Sequence, residues 1–185
     1  MDTLAFIITT LALLTLAIFY VWYLNTYIST NLLNTVGYTS SLVSTALTHE
    51  FQNAITIASM GNVVGSFNYT LMLPTSAIPV QGMALTYTIT LYPKEENNLL
   101  LLYANLTVTM IMGPLSRTIK NNVLVYSSTQ PYKIVAYNCV NNPNQPLTLV
   151  DPSWLSQGPP NLTPSCTWVS SEIQMGEAVI GISKG

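Results

Sequence analysis

From residue 4 to residue 24 the chain reads LAFIITTLALLTLAIFYVWYL, and no Asp, Glu, Lys or Arg occurs between Asp2 and Glu50. No other feature restricts the fold so strongly. As a helix, residues 4–24 rise about 1.5 Å each and reach roughly 31 Å, the hydrocarbon thickness of a bilayer. A helix that is apolar on every side has no face for water, so it needs lipid or protein all round it.

A cleavable secretory signal would require a basic start, a shorter apolar core and a small-residue cleavage site. Here Asp2 stands at the start, and Tyr20, Trp22 and Tyr23 fill the far end. A plain membrane anchor would use Phe19, Tyr20, Trp22 and Tyr23 as its interfacial belt, but no Lys or Arg flanks the run to set its orientation. A third reading comes from the continuation. Residues 25–60 lack proline, with Gly37 as the one weak point. Apolar residues recur at Ile28, Leu32, Leu33, Val36, Leu42, Val43, Leu47, Phe51, Ala54, Ile55 and Ala58, mostly three or four apart. That spacing predicts a helix continuing to about residue 60, where Gly61 and Asn62 supply a stop. Such a helix is roughly 85 Å long, more than a bilayer covers, and the stripe on its second half requires a partner.

Beyond residue 60 the hydrophobic period changes to two. Phe67, Tyr69, Leu71 and Leu73 alternate with Asn68, Thr70 and Met72, and Leu85, Tyr87, Ile89 and Leu91 alternate with Thr86, Thr88 and Thr90. This is the pattern of half-buried antiparallel strands. Further strands are expected at 99–112, 122–126, 132–138, 147–150 and, in one or two pieces, 168–182. Breaks are expected at 74–82, 93–98, 113–114, 121–122 and 141–146. The predicted fold class is therefore α+β: a long N-terminal hydrophobic α-helix over 1–60, then an all-β head over 61–185 with an immunoglobulin-like β-sandwich. Residues 152–164, rich in proline, are expected to form a surface loop.

Only 6 % of residues are charged, against a usual quarter, so amides and hydroxyls must solvate the surface. Five basic and seven acidic residues give a net charge of -2, and without a basic patch nucleic acid is not an expected partner, nor one required for folding. Scarce charge suits a protein that associates or carries sugar. Asn-x-Thr triplets at Asn68, Asn105 and Asn161 all follow the hydrophobic run and are glycosylation candidates. Cys139 and Cys166 stand alone, in neither a metal nor a redox spacing. A disulfide between them is expected over a pair of buried thiols, and it points outside the cytoplasm.

No group looks catalytic. His49, the one histidine, stands beside Glu50 on the predicted helix and reads as a solvated or interface side chain; Lys94, Glu95 and Glu96 read as a solvated turn. The dispersed acidic residues form no metal site, and phosphate loops and nucleophile elbows are absent. The chain is read as a non-enzyme without metal or cofactor.

The run LAFIITTLALLTLAIFYVWYL, its continuation NTVGYTSSLVSTALTHEFQNAITIASMG and the first strand-turn-strand NYTLMLPTSAIPVQGMALTYTITLY together resemble archaeal type IV pilins and the related archaellins. The resemblance covers the layout of the whole chain. Pilin precursors carry a short basic leader that is cut just before the apolar run, so the resemblance implies that residue 1 is the mature N-terminus. Ala5 stands where many bacterial pilins carry a carboxylate, which archaeal members commonly lack.

The resemblance implies a homopolymer built through the N-terminal helix, stored in the membrane before assembly, with N-linked glycans on a cell-surface sheath. Filament-core packing falls to Leu4, Ile7, Ile8, Leu11, Leu14, Thr15, Ile18, Tyr20, Trp22 and Leu24. Packing of the helix on its head or on neighbours falls to Ile28, Leu32, Val36, Val43 and Leu47. Glycans would attach at Asn68, Asn105 and Asn161. The competing expectation is a membrane-anchored accessory or viral surface protein with an external β-sandwich binding domain.

Overall fold

The computed structural model describes residues 2–60, 65–73, 83–97, 99–128, 132–157, 164–170 and 178–184 of the 185. The chain is α+β, with one long helix, α1 (Asp2–Ser59), followed by antiparallel strands. These are β1 (Ser66–Thr70), β2 (Met83–Glu96), β3 (Leu99–Met112), β4 (Leu115–Ser128), β5 (Lys133–Tyr137), β6 (Leu147–Val150), β7 (Cys166–Val169) and β8 (Val179–Ser183), with a short helix, α2 (Trp154–Gln157), between β6 and β7. The expected stop at Gly61 and Asn62, the expected break at 74–82 and the triplet at Asn161 lie outside the described residues.

By compactness the chain divides into Met1–Thr35 and Val36–Gly185, a boundary inside α1, whereas the sequence period changes near residue 60. In the first unit residues 3–23 are exposed along the whole helix surface, Leu24 and Ile28 are half-buried and Leu32 is buried.

In the second unit the helix buries Val36, Ser40, Val43, Leu47, Phe51, Ala54 and Ala58. Steps of three and four residues place these side chains in one stripe. Leu42, at 46 % exposure, falls off it, while small polar residues (Thr39, Ser40 and Ser44) are buried. The strands form two four-stranded sheets, ordered β1-β8-β5-β6 and β4-β3-β2-β7. β6 approaches β2 and β3, bringing the sheets to one core. β3 supplies Leu100, Leu102, Ala104, Leu106, Val108 and Met110 to it, alternate residues of one strand face. Trp168, Ile89, Leu91, Ile134, Ile180 and Ile182 complete it.

One expected break, at 121–122, is not there, and another, at 93–98, begins only after Glu96, with Asn97 in a turn. β4 runs through Asn121 and Asn122, which pair with Leu106 and Asn105 of β3. Their side chains are taken up by tertiary contacts: Asn121 Nδ2 donates to Ser44 Oγ at 3.4 Å, and Asn122 Nδ2 donates to Tyr92 Oη at 2.8 Å. The turn propensity of the pair is overridden by these partners. β2 likewise continues through Pro93 to Glu96. Its pairing with β7 ends at Leu91, so Pro93 lies where β2 has become an edge strand, and there a missing N–H is tolerated. At the β3–β4 hairpin Gly113 has φ +54°, the left-handed backbone that primed hairpin turns demand.

Cys139 and Cys166 form a disulfide, 27 positions apart. The bridge ties the segment after β5 to the first residue of β7, joining strands of different sheets. Around it Val140 N donates to Thr167 O at 2.8 Å, Thr167 N donates to Asn141 Oδ1 at 3.0 Å, and Trp168 Nε1 donates to Tyr137 O at 3.0 Å. The indole N–H of the fully buried Trp168 is thus satisfied, as a buried donor must be.

Candidate assembly surface

The side chains of residues 3–22 face outward without exception: Leu4 is 67 % exposed, Leu11 62 % and Trp22 60 %. Ile7, Ile8, Leu14, Ile18 and Tyr20 share this state, and Thr15 is exposed among them. Each large apolar side chain left in water forgoes roughly 1.5–3 kcal/mol of burial. The helix is long and apolar enough to cross a membrane, with a mean hydropathy of 2.5 over its most apolar window.

Threonines interrupt the run without making it polar. The hydroxyls of Thr9, Thr10 and Thr15 donate to the carbonyls of Ala5, Phe6 and Leu11, four residues back, at 2.7–2.8 Å. Thr26 and Thr30 do the same to Trp22 and Thr26. A hydroxyl bonded to its own helix takes its donor satisfied into an apolar medium, so the desolvation cost of these threonines falls. Spacing alone does not reveal this, although a Thr with any residue four positions earlier on a helix has the option.

An aromatic belt closes the apolar run. Phe19 and Trp22 lie 5.8 Å apart at 39°, and Tyr23 stacks on Tyr27 at 6.3 Å. Tyr27 thus belongs to a belt that the sequence reading ended at Tyr23.

Within the second unit a carboxylate of the helix joins the Asn121–Ser44 bond in linking α1 to the β-region. Glu50 Oε2 accepts from Tyr69 Oη at 2.9 Å and from Met72 N at 3.3 Å. Burial, followed by the Glu50 bond, pushes the Tyr69 hydroxyl above its ordinary pKa. His49, exposed, meets Asn53 through Nδ1 at 3.1 Å, an i, i+4 pair. A groove of about 520 Å³ runs between Phe51, Gln52 and Ile55 of α1 and Leu124, Tyr126 and Ser127 of β4, an edge strand of its sheet.

Val36, Val43 and Leu47 are buried in this unit, and Asn68 and Asn105 are exposed on β1 and β3. Lys94 pairs with Glu96 at 2.6 Å on the surface. Among the described residues no group of three or more His, Cys, Asp or Glu is placed to hold a metal. Comparison with protein-family models, with curated proteins and with solved structures finds no match to this chain.

Proposed function

We propose that this chain is the structural subunit of an extracellular helical filament of the archaeal type IV pilus kind, polymerising through α1 and serving adhesion or motility. The observation that carries the proposal is the contrast along one uninterrupted helix. Residues 3–23 are apolar, uncharged and exposed, while the residues after Val36 bury a stripe within their own unit. Among the described residues the first part is left uncovered, and in this reading copies of itself supply the cover.

The segment is held in the bilayer before assembly and leaves it by exchanging lipid for neighbouring helices, at little hydrophobic cost. An unpaired charge in that shared core would cost several kcal/mol, which accounts for the empty stretch between Asp2 and Glu50. A repeated heterologous contact that does not close gives a filament. The two sheets serve as a surface sheath, read as a sandwich of immunoglobulin-like size. Its consecutive β2-β3-β4 meander departs from the immunoglobulin strand order. N-linked glycans on Asn68 and Asn105 face outward in this reading, with the Cys139–Cys166 bridge suited to an oxidising exterior.

Negative-stain microscopy of sheared surface material tests the proposal: filaments several nanometres wide that bind an antibody to this chain are expected. A second reading, a membrane-anchored accessory or viral surface protein, is favoured by the belt of Phe19, Trp22, Tyr23 and Tyr27. Recovery of the chain only from detergent-extracted membranes, with no antibody-labelled filament, selects that reading over the first.

A further inference from the structure

On the outer face of the β4-β3-β2-β7 sheet, Tyr92 and Tyr103 are opposite one another in register and their rings lie nearly parallel, 5.9 Å apart at 19°. Both are half-exposed. Such a cross-strand pair ordinarily serves the sheet alone. Here, however, Asn105 follows Tyr103 by two residues and shares its face of β3. Asn105 is exposed, and among the described residues no side chain hydrogen-bonds its amide. Thr107, the third residue of the Asn-x-Thr triplet, continues the same face.

We infer that the Tyr92–Tyr103 pair is a stacking platform for a neutral saccharide, the first sugar of a glycan on Asn105. A pyranose ring presents a face of C–H groups with partial positive charge, complementary to the negative face of an aromatic ring. Its hydroxyls need partners, and the neighbourhood offers them without a competing anion in the register row. Thr90, whose hydroxyl also pairs with that of Thr167 at 3.1 Å, and Asn122 lie opposite Asn105 on the two flanking strands. Asn122 Nδ2 already orients Tyr92 through its hydroxyl at 2.8 Å. Lys94 Nζ stands 5.9 Å from the Tyr103 centroid, held by Glu96 at 2.6 Å.

On the other sheet Asn68 has a single tyrosine, Tyr137, as its aromatic neighbour across Gly181. Its Oδ1 and the hydroxyl of Tyr137 both lie 3.2 Å from where a side chain on Gly181 would begin. The glycine leaves room for an aromatic ring across the strand beside the second acceptor.

The inference rests on the external location proposed above, but it is tested on dispersed subunits, so it stands or falls separately from filament formation. The full chain is purified from its own cells in detergent, and its glycopeptides are examined by mass spectrometry and proton NMR. A saccharide mass on Asn105 is expected, with the C–H signals of the first sugar shifted upfield by ring currents. That shift should disappear in Tyr103→Ala and in Tyr92→Ala, while Tyr103→Phe retains it and the circular dichroism of the head is unchanged.

In parallel, unglycosylated full chain made in bacteria is offered free glucose, mannose and N-acetylglucosamine in saturation-transfer NMR. Transfer from the tyrosine rings, reduced at least tenfold by Tyr92→Ala, together with an unmodified Asn105, would assign the platform to an external glycan and overturn the attached one. An unmodified Asn105 without transfer, or an attached sugar whose shifts ignore Tyr103→Ala, overturns the platform itself.

Discussion

The two parts of α1 are the same secondary structure in one unbroken element, yet they meet opposite fates. Before residue 24 the helix is apolar on all sides and exposed; after Val36 one stripe is buried and the rest is wet. The difference lies in side-chain distribution, since an all-round apolar helix cannot be covered by one layer of strands, whereas a stripe can. Hydrophobicity alone therefore does not tell where a helix finds its cover. Its angular spread does: a stripe is satisfied within the chain, and a full circumference requires lipid or other copies.

The sharpest way to break this comparison is to make one substitution in both parts. Phe51 is fully buried and Phe6 is 71 % exposed. Phe51→Ala should destabilise the head by about 3–5 kcal/mol through lost burial and a residual cavity. Phe6→Ala should leave head unfolding unchanged and lower filament yield instead. Denaturant unfolding of detergent-dispersed subunits, followed by tryptophan fluorescence, reads the first, and sedimentation of sheared filaments reads the second. Equal effects of both variants on head stability would show that the two parts are not independent.

Removing the covalent constraint on one side comes next. The Cys139→Ala, Cys166→Ala double variant should lose about 3.5 kcal/mol on the chain-entropy account of a loop of this length. The loop lies wholly in the second unit, so the far-UV signal of the apolar helix in detergent should persist after the head has melted. A single concerted transition for helix and head would contradict the separation.

The helix was legible because its signals are local and long. Periodicity over residues 25–60, lack of proline and an apolar run of bilayer length each survive without tertiary information. The strands were legible where alternation was clean, as at Tyr87, Ile89 and Leu91. They were misread where punctuation residues were held by distant partners: Asn121 by Ser44, Asn122 by Tyr92, and Pro93 by the early end of β7. The Tyr92, Tyr103 and Asn105 neighbourhood depends on the register of β2 on β3, which a single sequence does not state. Leu32, Val36, Val43 and Leu47 were readable as buried positions from spacing, but Thr39, Ser40 and Ser44 were not, because only packing shows which small polar residues a stripe admits.

A charge placed in the apolar half sharpens the comparison from its other side. Leu14→Lys sits near the middle of the run, and a basic residue there costs on the order of 3 kcal/mol in an apolar surrounding. Filaments should be lost, or insertion into the membrane reduced, with head unfolding unchanged. Leu42→Lys, at an exposed position of the second half, should change head stability by under about 0.5 kcal/mol. Parallel fractionation and unfolding measurements on the two variants check both expectations. A Leu14→Lys chain that still forms normal filaments would remove the need for an uncharged core.

The smallest expected effect concerns pH, where the two parts again diverge. The Ser153 hydroxyl and amide, donating to Asp151 at 2.7 and 3.0 Å, and then Lys133 at 3.3 Å, hold the Asp151 carboxyl below its ordinary pKa. A depressed folded pKa means that this contribution is present above the unfolded carboxylate value and is lost as pH falls through the folded one. Ser153→Ala removes the largest cause, so Asp151 should titrate nearer its ordinary value and acid unfolding of the head should begin at a higher pH. Lys133→Met should move it less, because the lysine is the lesser cause and is well exposed to solvent that screens it. Carbon-detected NMR of the Asp151 carboxyl follows both. Between residues 3 and 48 the chain carries no Asp, Glu, His, Lys or Arg. The interactions of the apolar helix should therefore be indifferent to acid, and a filament that dissolves in acid would do so through its heads.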